Sequence, residues 1–105
     1  MKKVFFQGSS IDDIRNFPIE ARREVGYQLD KIQNGLEPTD YKPMPSVGKG
    51  VQEIRVKDQT GAYRVICVAK LEDGIYVLTA FQNKQQKTPK QEIDKAKRHY
   101  AELMR

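Results

Sequence analysis

The chain has 105 residues, 38% hydrophobic and 31% charged, with a formal net charge of +5 and a single cysteine. That describes one domain over residues 1–105 with one modest core; it is too apolar for disorder, lacks the ~20-residue apolar run of a membrane span and has no partner for an internal disulfide. The opening M-K-K-V-F-F-Q-G lacks the apolar centre of a signal peptide, so a cytoplasmic protein with no membrane partner is expected.

Lys3 to Gln7 is a short β-prone run suited to an edge strand. Ser9 or Ser10 is placed to cap a helix whose first turn carries Asp12 and Asp13, where the helix dipole favours negative charge. Ile11, Ile14 and Phe17 follow at helical spacing. Pro18 then removes a backbone donor and pushes Phe17 out of helical angles, so the spacing predicts two helices, roughly 10–16 and 18–34. In the second, Ala21, Val25, Leu29, Ile32 and Leu36 form one apolar stripe and Gly35 is the expected C′ residue.

Residues 37–50, E-P-T-D-Y-K-P-M-P-S-V-G-K-G, hold three prolines and two glycines and read as a loop. Val51 to Lys57 alternates, with Ile54 and Val56 on one face and Glu53, Arg55 and Lys57 on the other. Tyr63 to Lys70 and Ile75 to Gln82 are apolar on both faces; the first of these should be a central strand. Turns at Asp58–Gly61 and Glu72–Gly74 join the three runs into an antiparallel meander. Thr88 as cap, Pro89 at the first position and Gln91 closing a capping box mark a last helix, with Ile93, Ala96, Tyr100 and Leu103 or Met104 on one face. The order β-α-α-β-β-β-α implies an α+β fold, its helices packed on one face of a mainly antiparallel sheet and the other face free to bind.

One histidine and one cysteine do not make a zinc site, and there is no phosphate-binding glycine loop or dinucleotide fingerprint, so no metal and no cofactor are expected. His99, among Lys97, Arg98 and Tyr100, reads as a solvated histidine, and Cys67 as a small core residue. The basic residues remain. Residues 1–41 carry a net −1 and residues 42–105 a net +6, a distribution that suits a phosphate-bearing partner as well as a plain solvated surface. Arg64 lies inside an apolar run, where a charge needs either a partner, with Glu53 the obvious one, or a phosphate to grip. Arg55 should point away from the core. Lys84 and Lys87 follow the last strand, Lys42 and Lys49 sit on the proline-rich loop, and Lys57 shares the face of Arg55. Together these residues can surround one anion.

The runs G-V-Q-E-I-R-V, G-A-Y-R-V-I and V-L-T-A-F-Q-N-K-Q-Q-K-T-P resemble the phage-related, HigB-like (Gp49-like) branch of the RelE/ParE toxin superfamily. The likeness extends upstream through G-S-S-I-D-D-I-R-N-F-P, A-R-R-E-V-G-Y-Q-L-D and Y-K-P-M-P-S-V-G-K-G, and so covers almost the whole chain. It implies a fold like that of microbial ribonucleases and metal-independent cleavage of messenger RNA on the ribosome, by attack of a ribose 2′-hydroxyl on the adjacent phosphate. It further implies a cognate antitoxin, a small helix-turn-helix protein, as partner. On this resemblance Arg64, Arg55 and Lys84 are the catalytic set: the arginines stabilise the developing charge and Lys84 assists proton transfer. On the same reading Lys42, Lys49, Lys57 and Lys87 are expected to bind RNA. The chain departs from its relatives at Thr79, where histidine is common, and at Asn83-Lys84-Gln85, where lysine-lysine-threonine is common. Two alternatives therefore stand beside the ribonuclease: a non-catalytic module that holds RNA or a partner, and a gyrase poison of the ParE type.

Overall fold

The computed structural model describes the backbone of residues 1–105 and the side chains of all of them except Lys70 and Leu71. Along the chain come β1 (Lys3–Phe6), α1 (Ser10–Arg15), α2 (Ile19–Gln33), β2 (Tyr41–Pro43), β3 (Val51–Asp58), β4 (Gly61–Leu71), β5 (Gly74–Asn83) and α3 (Lys90–Leu103). The five strands form one sheet in the order β1-β5-β4-β3-β2. The strands from β2 to β5 run antiparallel to their neighbours, and β1 pairs with β5 in parallel, Lys3 against Gly74 through Phe6 against Val77. The α+β class is as expected, and β4 is the central strand.

Each helix is where its apolar residues put it. Ala21, Val25, Leu29 and Ile32 of α2 are buried with Ile14 and Phe17 against Ile54, Val56, Val65, Cys67 and Val77 of the sheet. Burial of each aliphatic side chain of this kind contributes about 1.5–3 kcal/mol. Gly35, at φ +79°, ends α2: its N–H reaches the Ile32 carbonyl at 3.0 Å and the N–H of Leu36 reaches that of Lys31 at 2.9 Å. This turn takes Leu36 out of the predicted stripe and leaves it 59% exposed.

The helices do not all share one face. Ala96, Ile93, Tyr100 and Leu103 of α3 pack with Ile66, Val68, Leu78 and Phe81 on the opposite side of the sheet, together with Met44 and Val47 from the proline-rich segment. The reason is in the strands: β4 and β5 are apolar on both faces, and the second face needs a cover as much as the first. Two local readings also change. Tyr41–Pro43 is a short edge strand rather than loop, its proline tolerated because it lies at the border of the sheet. Residue Thr88 does not cap α3: Pro89 holds the cap position, no side chain bonds there, and the Thr88 hydroxyl turns to Glu53 instead.

Candidate nucleic-acid interface

The register lines up three cross-strand rows on the face that α3 partly covers. Lys42, Glu53, Ile66 and Thr79 form one; Arg55, Arg64 and Phe81 the next; Lys57, Ala62 and Asn83 the third. Two arginines directly opposite each other repel. The Glu53 carboxylate relieves this: its Oε1 lies 3.3 Å from Arg55 Nε and 3.7 Å from Arg64 Nε. Its Oε2 accepts a 2.5 Å hydrogen bond from the Thr88 hydroxyl. Glu53 is 0% exposed and Arg64 8%, so both charges are held away from water and depend on each other. Burial pulls the Arg64 pKa below the usual arginine value, Glu53 pushes it back up and Arg55 lowers it further. The guanidinium stays charged at neutral pH all the same.

Arg55 is different. Its side chain is 32% exposed, and it opens into a cleft of about 480 Å³. Lys42, Gln86, Lys87 and Thr88 line this cleft with Arg55, and Pro43, Met44, Pro45 and Ile93 supply apolar wall. Three cations around one cleft, one of them fixed from behind by a buried carboxylate, make a site for anions.

Of the residues singled out from the sequence, the structure brings Arg55, Lys42 and Lys87 together, with Arg64 behind Arg55 as a paired, buried charge. Lys84 lies apart, in a separate concavity of about 280 Å³ with Gln85, Gln91 and Glu92. Lys49 is exposed at the end of its loop, where its backbone carbonyl meets the Tyr100 hydroxyl at 3.4 Å. Lys57 is exposed on β3 opposite Ala62. His99 is not a solvated residue: it is half-buried, and Nδ1 lies 2.7 Å from the Leu78 carbonyl at a bulge in β5, which makes it the donor of that contact. Thr79 gives its hydroxyl to Glu92 of α3 at 2.7 Å, and Asn83 is buried with neither amide atom bonded to protein.

The expected Arg64–Glu53 pairing is present, but three features escaped the sequence reading: that Glu53 also holds Arg55, that Thr88 is its further partner, and that Gln86 stands at the mouth of the cleft. The signal for Glu53 lay in Glu-x-Arg, a spacing that puts both side chains on one strand face. Nothing local pointed to Thr88, which meets Glu53 only through the tertiary fold. Among the described residues no three histidine, cysteine, aspartate or glutamate side chains gather as a metal site, and no helix is long and apolar enough to cross a membrane.

Among curated proteins none matches the chain significantly. The family model of phage-derived Gp49-like proteins matches residues 12–101, a span that contains every member of the arginine cluster and the cleft. The chain belongs to this phage-derived Gp49-like family, a toxin-like family of the RelE/HigB group.

Proposed function

We propose that the protein is the toxin of a type II toxin–antitoxin pair: an endoribonuclease that cleaves messenger RNA on the ribosome and so stops translation. The observation that carries this reading is the Arg55 guanidinium, opened into a cleft between Lys42 and Lys87 and anchored by Glu53, in a member of a toxin-like family. In the reaction a ribose 2′-hydroxyl gives up its proton and attacks the adjacent phosphorus, a cyclic phosphate forms, and the bond to the 5′-oxygen of the next nucleotide breaks, that oxygen leaving as a hydroxyl with a proton from solvent. Negative charge builds on the phosphoryl oxygens at the transition state. Arg55 meets it with a planar fork, and a lysine on either side holds the flanking backbone. Arg64 acts through Arg55 and Glu53 rather than on the phosphate. Lys84 lines another concavity, so the proton acceptor nearest Arg55 is the Glu53 carboxylate, reached by substrate only when Thr88 leaves Oε2.

The test is induction in a host without an antitoxin, with growth, amino-acid incorporation and the 5′ ends of a reporter message followed together. New message ends and a fall in incorporation are expected. Unchanged growth and translation would remove the active-toxin reading. The expected partner is a small antitoxin that offers acidic or amphipathic chain to the basic face; co-expression with the product of the neighbouring gene should recover a stable pair.

Two observations favour a second reading, a module that holds RNA without cutting it. Glu53 is covered on both oxygens, and Thr79, where the family resemblance leads one to expect histidine, is tied to Glu92. RNA binding that depends on Arg55, with no cleavage on programmed ribosomes, would select it.

A further inference from the structure

Charge alone does not account for the cleft of Arg55. Pro43 and Pro45 are exposed along its wall, Ile93 of α3 is half-buried beside them, and the Gln86 amide stands exposed at its mouth. A phosphate needs none of these. At about 480 Å³ the cleft also has far more room than a phosphate fills. A nucleobase presents the complement of this wall: a flat apolar face and an edge of hydrogen-bond donors and acceptors. Proline rings and an isoleucine side chain give apolar surface for the face. A glutamine amide, one acceptor with two donors, can read the edge. The cations beside them suit the phosphate that every nucleotide carries.

We infer that the cleft is a nucleotide subsite: it takes one single-stranded ribonucleotide, the base against Pro43, Pro45 and Ile93, the base edge on Gln86, and the phosphate on Arg55 and Lys87. The inference rests on the RNA-directed reading above and adds recognition of the base to it. The segment Y-K-P-M-P-S-V thereby gains a role beyond linking α2 to β3. Its buried Met44 and Val47 fasten it to the α3 core, which fixes Pro43 and Pro45 at the border between the cleft and a neighbouring hollow lined by Tyr41 and Gln52.

The experiment is a titration of the whole protein, labelled at isoleucine methyls and glutamine side-chain amides, with four nucleoside 5′-monophosphates and with ribose 5-phosphate at the same ionic strength. At least one nucleotide should bind about tenfold tighter than ribose 5-phosphate, and the Ile93 methyls should show the ring-current shift of a base lying on them. Gln86→Ala should narrow the spread of affinity among the four nucleotides. Arg55→Ala should weaken nucleotide and ribose 5-phosphate alike. Equal affinity for all five probes with unmoved Ile93 methyls overturns the subsite. The outcomes separate from those of the nuclease: base contact in a protein that cuts no RNA keeps the subsite and removes the nuclease, and cleavage without base contact does the reverse.

Discussion

Arg55 and Arg64 face each other directly across β3 and β4, and a single buried carboxylate, that of Glu53, serves both. The trio keeps one surplus positive charge. Because Arg64 is enclosed and Arg55 is not, the surplus is presented at the cleft by Arg55. On the proposed reading stability and anion binding are thus divided between two residues of the same type, and substitutions can separate them.

The first test concerns the hub. Glu53→Ala leaves Arg64 as a buried charge with no carboxylate, and loss of one partner of such a pair costs about 3–5 kcal/mol. The urea midpoint should fall accordingly. Arg64→Met in the Glu53→Ala background should restore much of it, since the stranded charge is then gone. A Glu53→Ala protein as stable as the parent would mean that the carboxylate holds nothing together.

The second concerns the exposed arginine. Arg55→Ala should lower cleavage of ribosome-bound message by about 10²–10³, the usual effect of removing one transition-state donor, with little change in melting temperature. Arg55→Lys should regain only part, because the ammonium keeps the charge and loses the fork. Arg64→Ala should chiefly lower stability. If instead Arg64→Ala stays fully folded and inactive while Arg55→Ala cuts normally, the phosphate contact belongs to Arg64.

The third concerns how the proline-rich segment is fastened. A Cβ on Gly48 would run into the ring of Tyr100 on α3, closer than packed atoms approach. Gly48→Ala should cost about 1–3 kcal/mol, as overpacking does. Truncating Tyr100 to alanine in the same protein should remove that cost, which a double-mutant cycle in urea measures. Additive effects of the two changes would show that they do not touch.

The fourth is a pH dependence. Burial pushes the Cys67 thiol up to about 12. In the unfolded chain a cysteine ionises near about 8.5. Between those values the unfolded state holds fewer protons than the folded one, so stability falls as pH rises through this window and is unaffected by the thiol below it. Urea midpoints at alkaline and neutral pH should therefore diverge more for the native protein than for Cys67→Ala. Equal divergence would show that the thiol ionises as easily folded as unfolded.

What the sequence revealed follows from what is local. The stripe Ala21, Val25, Leu29, Ile32 and the alternation at Ile54 and Val56 are set by neighbouring residues, and they survive in the fold. The strand Tyr41–Pro43 is too short to show a period, and its pairing with Gln52–Ile54 is a tertiary event. Arg64 was legible as a charge in an apolar run and Glu53 as its natural partner, since β3 and β4 are joined by a tight turn. That Thr88 would forgo its helix cap to bind Glu53 was not legible, because the two meet only once α3 lies on the sheet. Lys84 and Lys87, three positions apart, looked equivalent; the chain between β5 and α3 sends them to different hollows.

The parallel pairing of β1 with β5 has a bearing on synthesis. Lys3 emerges from the ribosome long before its partner Gly74, which follows both core helices, α1 and α2, and three other strands. Until then β1 has no strand to join, and closing so long a loop carries a large entropy cost. A nascent chain that stops short of β5 also lacks α3, and with it Thr88 and Ile93. The cleft of Arg55 can therefore come into being only once α3 has been made, and a chain cut short before that helix should lack the cleft altogether.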